Sequence, residues 1–359
     1  MSQSSFESSK PATGGLSIRQ LDGRDPAAVA RWEAFVAAAP AATFFHRAGW
    51  QKLLSEVFRH RTRFLYAERD GIIVGILPLA QVKSLLFGNS LVALPFAVYG
   101  GVVSDDPAVA AALEAEAERL ARELGVAHLE YRNIDARHAD WPTQDLYVSF
   151  RKEILPDEEA NMLAIPRKQR AMVRKGIKNG LRGEIDGNAE RFFALYADNV
   201  HRHGTPAMPR RYFDALLKEF GKDCEVLTIV DAKGAPVSSV MSFYFRDEVL
   251  PYYAGDAVAA RELAANDFKY WELMRRACQR GLKVFDYGRS KVGAGSYSFK
   301  KNWGFEPRPL HYEYRLYKSE GIPQNNPNNP KYKLMIETWR RLPIWLANFL
   351  GPYIVRSLG

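Results

Sequence analysis

The sequence predicts an α/β (α+β) protein built from two tandem halves, each a mixed sheet flanked by helices. Three observations predict it. First, the order strand, turn, strand, helix, strand occurs twice: FLYAERDGIIVGILPL answers LTIVDAKGAPVSSVMSFYF, and VAHLEYRN answers LKVFDYGRS. Second, apolar periodicity switches between strand-like and helix-like spacing along both halves. Third, 359 residues with 47% hydrophobic and 25% charged composition can bury two cores without disulfides or metals.

The elements follow in order. A polar Ser/Gly-rich lead occupies 1–14. LSIRQLD reads as a first strand, and DPAAVARWEAFVAAAP as a helix capped by Asp25 with Pro26 at its first position. FFHRAGWQKLLSEVF is a second helix. A hairpin turns at Arg69-Asp70-Gly71, and a third strand ends in Val98-Tyr99-Gly100-Gly101. An amphipathic helix closes at Gly125, and VAHLEYRN ends this half, taken as 15–155. The second half, 156–318, begins with helices around 157–181, 188–203 and 209–220. A three-strand meander, a helix, the strand KVFDYGRS and a closing strand pair in FKKNWGFEPRPLHYEYRLY complete it. A polar linker and a basic, aromatic tail fill 319–359.

Composition narrows the function classes. Cys224 and Cys278 are too few for a disulfide framework, and no Cys/His spacing suits zinc, so no metal site is expected. No apolar h-region opens the chain, so no signal peptide is expected. The uncharged stretch Ser84–Ser104 holds glycines, a proline and an asparagine, and reads as strand with turns rather than a membrane span. The expected location is the cytoplasm, with peripheral association at the inner face of its membrane. The net charge of +9 favours anionic partners without choosing among them.

Several segments can carry chemistry. Phe285 to Ser290 ends a strand, where ligands of open sheet folds gather. Asp286 and Arg289 would sit there as candidate base and phosphate-binding residue; the competing reading is that they merely pair. Gly293 to Phe305 leads glycines and Tyr297 into Lys300 and Lys301, a pair suited to a developing oxyanion. The helix RKQRAMVRKGIKNGLR places Arg167, Arg170, Arg174 and Lys178 on one face with no acidic residue among them. A phosphate-bearing substrate or a solvated face both account for it. His203 lies in the loop HRHGTP, and Tyr99 in FAVYGG, each a candidate cleft contact. The tail 331–359, with Trp339, Trp345, Phe349 and Tyr353 among basic residues, suits either an anionic membrane surface or docking onto the protein's own body.

RKQRAMVRKGIKNGL, HRHGTPAMPRRYF and FDYGRSKVGAGSYSFKKNWGF resemble the FemAB-related proteins with two tandem GNAT-like (acyl-CoA N-acyltransferase fold) domains. The likeness is greatest to the branch associated with exosortase/PEP-CTERM exopolysaccharide systems. The resemblance implies an N-acyl or aminoacyl (peptidyl) transferase forming an amide on a cell-envelope or exopolysaccharide precursor that is phosphorylated or linked to a nucleotide or lipid. It implies an essential lysine at Lys300 or Lys301. The acyl donor would be aminoacyl-tRNA or acyl-CoA, with no tightly bound cofactor. No segment suits the long helical hairpin with which FemA-type proteins engage tRNA. The places where acyl-CoA pyrophosphate would bind read Ser104-Asp105-Asp106-Pro107 and Ala260 to Asp267, acidic and without glycines, which disfavours CoA. The alternative is a non-catalytic, membrane-associated adaptor of polysaccharide assembly.

Overall fold

The computed structural model describes residues 15–84, 87–318, 320–322 and 330–357. The lead 1–14 and most of the polar linker lie outside them. In chain order the strands are β1 (Ser17–Gln20), β2 (Arg61–Arg69), β3 (Ile72–Ser84), β4 (Gly88–Val92), β5 (His128–Asn133), β6 (Thr143–Gln144), β7 (Tyr147–Glu153), β8 (Arg182–Asp186), β9 (Cys224–Val230), β10 (Pro236–Phe245), β11 (Glu248–Asp256), β12 (Val284–Lys291), β13 (Pro307–Pro309) and β14 (His311–Leu316). The helices are α1 (Pro26–Ala38), α2 (Gly49–Glu56), α3 (Pro107–Glu123), α4 (Glu158–Ala164), α5 (Arg167–Lys178), α6 (Glu190–Arg202), α7 (Arg210–Phe220), α8 (Ala260–Leu263), α9 (Ala265–Gln279), α10 (Gly295–Asn302), α11 (Pro330–Arg341) and α12 (Ile344–Val355).

Local chemistry sets the boundaries. The Asp25 carboxylate accepts from Ala27 N at 2.9 Å and starts α1; Asp106 does the same for α3 through Ala108 N. Asp70 (φ 53°) and Gly71 (φ 79°) turn the β2–β3 hairpin in the left-handed region. Two expectations need correction. The third strand stops at Val92, because Leu94 (φ 59°) and Phe96 (φ 66°) break extended geometry before Tyr99. The glycine–lysine segment is a helix, α10, so Phe299 to Asn302 do not belong to the closing strand pair.

Two seven-stranded mixed sheets result, ordered β1-β2-β3-β4-β5-β14-β6 and β13-β7-β12-β11-β10-β9-β8. The closing strands do not pair with each other. β7 crosses to lie beside β12 in the second sheet, and β14 returns to lie beside β5 in the first. A buried carboxylate anchors the returned strand. Glu313 on β14 accepts from Asn133 Nδ2 at 2.8 Å, Arg137 N at 2.7 Å and His138 Nδ1 at 2.7 Å. Burial opposes charge on His138, but Glu114 and Glu313 outweigh it and raise its pKa to about 9.

One apolar cluster spans the halves. Phe44 from the first stacks on Phe243 from the second with ring centroids 4.4 Å apart, and Trp50 and Phe220 close around them. The halves are therefore fixed against each other by exchanged strands and by shared core.

Candidate functional site

In each sheet one parallel pair parts soon after it forms. β11 and β12 pair only at Glu248↔Val284 and Val249↔Phe285, then separate. A bulge on β12 between Asp286 and Arg289, with Gly288 at φ 62°, turns the strand end away. The gap opens into a hollow of about 610 Å³ between the two sheets. Pro251, Tyr252 and Tyr253 of β11 and Tyr287, Gly288 and Arg289 of β12 form one wall. His128, Glu130 and Arg132 of β5 with Tyr312 and Tyr314 of β14 form the facing wall. Period-two spacing puts these β5 and β14 side chains on one face.

Lys300 is a buried cation of this hollow, as Arg132 is on the facing wall. It sits on α10 and is 8% exposed. Its Nζ donates to the carbonyls of Tyr287 at 2.7 Å, Gly288 at 3.2 Å and Arg289 at 3.2 Å. The ammonium therefore ties together three successive carbonyls at the bulge. Burial lowers its pKa to about 7; Asp286 opposes that shift and Arg289 adds to it.

Arg289 is exposed, and the hollow is where it is reached. Its guanidinium lies over the rings of Tyr147 at 4.4 Å and Tyr312 at 5.6 Å and donates to Tyr312 Oη at 3.2 Å. Among the described residues it has no carboxylate partner, unlike Arg132, which pairs with Glu130 at 2.7 Å. The Tyr287 hydroxyl is buried without a partner among the described residues. An uncompensated guanidinium, a buried ammonium and a free phenol suit an anionic ligand.

The loop between β4 and the next bridge closes the hollow's floor. Phe96 and Val98 line it. The left-handed residues Leu94 and Phe96 persist because their surroundings over-determine them. Arg132 donates to Ala97 O at 2.8 Å, Tyr252 to Phe96 O at 2.5 Å and Tyr312 to Val98 O at 2.7 Å.

The other candidates lie elsewhere. Asp286 is 1% exposed and lines a separate void of about 10 Å³, not the hollow. Tyr99 Oη at 2.9 Å, Arg151 Nη1 at 2.9 Å and Gly288 N at 2.7 Å saturate its carboxylate. Burial raises its pKa and Arg151 opposes this. It thus joins the halves and shapes the bulge, and it is not placed to take a proton from a substrate. Tyr99 is its partner and likewise turns from the hollow. Asp286 does not pair with Arg289; Arg151 takes that place. Lys301 is exposed over the Tyr297 ring, and Tyr297 packs edge-on against Phe150; neither lines the hollow. His203 is exposed and ends α6, its Nδ1 2.7 Å from Asn199 O, while its neighbours Thr205 and Pro206 reach the hollow instead.

The cationic helix lies away from the hollow. α5 packs on α9, with Gln169 and Trp303 sharing the Asp267 carboxylate at 3.2 and 2.9 Å. Its start touches Gly304, so it adjoins the end of α10. Arg167, Arg174 and Lys178 are exposed, Arg170 is half-buried, and none lines the hollow. Burying Gln169, Val173 and Gly176 turns the charged face outward.

The helix starts where a CoA pyrophosphate would sit do not fit it. Asp106 caps α3, and Asp267 occupies the first turn of α9. Among the described residues no group of three His, Cys, Asp or Glu is placed to hold a metal, and no helix is long and apolar enough to cross a membrane.

What the eight tyrosines of the wall do could not be read from spacing, since they come from six separate elements. Arg132, Glu130 and His128 were legible only as a strand end; alternation of three polar residues on a buried strand was the available signal.

Comparison places this geometry among known folds. Residues 167–301 match the acetyltransferase (GNAT) domain family. No curated protein matches the sequence. The structure is similar to that of FemX, with TM-score 0.63 and 14% identity over 89% of this chain and 100% of that one. It is similar to L-PGS from Bacillus licheniformis, with TM-score 0.57 and 14% identity over 88% and 96%. It is also similar to a tandem GNAT protein from the clavulanic acid biosynthesis pathway, with TM-score 0.52 and 14% identity over 86% and 100%. Two mixed sheets that each part around a parallel pair, together with these likenesses, make the chain a tandem GNAT-fold protein whose second half carries the GNAT domain match.

Proposed function

We propose that the protein is an N-acyl or aminoacyl transferase that forms an amide bond on an amine-bearing, anionic cell-envelope precursor. The observation that carries this reading is the hollow between the sheets, with Arg289 reachable and uncompensated beside the buried Lys300. Fold alone does not imply function, so the site bears the argument.

Arg289 anchors a phosphate or carboxylate of the acceptor, and the tyrosine faces pack its apolar or sugar portion. The acceptor nitrogen attacks the donor's carbonyl carbon. A C–N bond forms, the carbonyl oxygen becomes anionic, and the bond to the leaving group then breaks as the amine proton passes to it. Lys300 supplies positive charge in a water-poor wall where that oxyanion develops. To reach it, the ammonium exchanges one of its three carbonyl partners for the oxyanion.

The acidic starts of α3 and α9 favour an ester donor over CoA. The outward cations of α5 suit the phosphates of a polyanionic donor such as aminoacyl-tRNA, whose acyl end would enter the hollow. The exopolysaccharide setting rests on the family resemblance of the sequence motifs.

Mass spectrometry of envelope precursors from cells with and without the chain tests the reading. A precursor heavier by one acyl or aminoacyl residue, present only with the chain, is expected. Identical precursor profiles would remove the transferase and leave the adaptor.

A further inference from the structure

The tail settles against the body with one face and leaves the opposite face open. On α12 the small residues Ala347, Gly351 and Val355, four apart, are buried. Gly351 lies so near Ala207 that an added Cβ would stand 3.0 Å from its carbonyl oxygen. Offset on the helix, Trp345, Phe349 and Tyr353 repeat the same spacing outward, 68%, 62% and 63% exposed. Three large aromatics in a row are not a normal scatter of surface apolar residues. Before the ridge stand the exposed Arg340 and Arg341, after it Arg356, and residues 338–357 contain no Asp or Glu.

We propose that this outer face of α12 docks on an anionic lipid bilayer. The residue types decide for lipid. Trp and Tyr rings favour the headgroup level of a membrane, and arginines beside them meet anionic phosphates. The helix is too short to span and lies parallel to the surface. Its far end gives the docking a consequence. Val355 and Ser357 belong to the wall of the inter-sheet hollow. Docking through Trp345, Phe349 and Tyr353 therefore holds the rim of that hollow at the lipid surface. A precursor carried on a membrane lipid can then enter without leaving the interface. The docking goes beyond the transfer reading and is measured without turnover.

Vesicle flotation with the full chain tests it. The protein is expected to float with phosphatidylcholine vesicles containing phosphatidylglycerol and to stay in the dense layer with phosphatidylcholine alone. Trp345→Ser with Phe349→Ser and Tyr353→Ser leaves the packed face untouched, which unchanged thermal unfolding verifies. It should lower the floated fraction about tenfold or more. Arg341→Glu should lower it too, and leaves both the ridge and the bond from Arg340 to His203 O in place. Failure to float with anionic vesicles overturns the proposal, as do equal flotation with neutral ones and a triple variant that floats like the wild type. A solution dimer that the triple variant dissociates, with no flotation, overturns it in favour of a second copy as occupant.

Discussion

Replacing Lys300 by methionine is expected to lower formation of the acylated precursor about 10²- to 10³-fold, the range for losing one preorganised oxyanion-stabilising group. Lys301→Met should stay within about twofold, since Lys301 is exposed and outside the hollow. The contrast resolves a pair that the sequence leaves equal. A structural effect accompanies the chemical one. Methionine fills the space but leaves the carbonyls of Tyr287, Gly288 and Arg289 without their donor, a cost of about 1–3 kcal/mol. The pH dependence separates the two effects. With a pKa of about 7, the ammonium is progressively lost above neutrality, so the rate attributable to it falls as pH rises through about 7. Stability moves the other way. Between about 7 and the ordinary 10.5 the unfolded chain holds this proton and the folded chain does not, so stability rises with pH across that window. Lys300→Met should remove that slope in urea unfolding curves as well as the falling limb of the rate. An unchanged falling limb in the variant would assign it to another group.

Asp286→Ala is expected to destabilise the seam by about 2–4 kcal/mol: Arg151 loses its buried partner but keeps Glu248, and the other donors to this carboxylate are left unsatisfied. Those donors, Tyr99 Oη and Gly288 N, belong to different halves of the chain. Tyr99→Phe removes a single bond and should cost about 1 kcal/mol. Urea midpoints at constant slope would measure both. Product formation by Asp286→Ala should fall only in proportion to the folded fraction. A variant that folds with wild-type stability and makes no product would return Asp286 to the chemistry.

The fold was legible because local signals agree with one another. Asp25-Pro26 and Asp106-Pro107 start helices, Asp70-Gly71 turns a hairpin, and the strand–helix order repeats. The strand exchange was not legible. Nothing local in HYEYRL says that Glu313 will find Asn133 and His138, which stand about 175 to 180 positions earlier. The site was half legible for the same reason. Arg289 and Lys300 stand within one motif and reach one hollow. Asp286 belongs to that motif too, but Arg151 and Tyr99, far away in sequence, claim its carboxylate. The α5 cations formed the most conspicuous charge pattern and lie outside the hollow, since helical periodicity tells which residues share a face and not what that face meets.

The pull of Arg289 against that of α5 can be measured directly, by native mass spectrometry of the chain purified from producing cells. The wild type should carry an anionic ligand that survives Arg167→Ala, Arg170→Ala, Arg174→Ala and Lys178→Ala together, and that Arg289→Ala loses. A small ligand other than nucleic acid that Arg289→Ala retains and the α5 substitutions remove would contradict the account, because the hollow between the sheets would then not be where the acceptor is held.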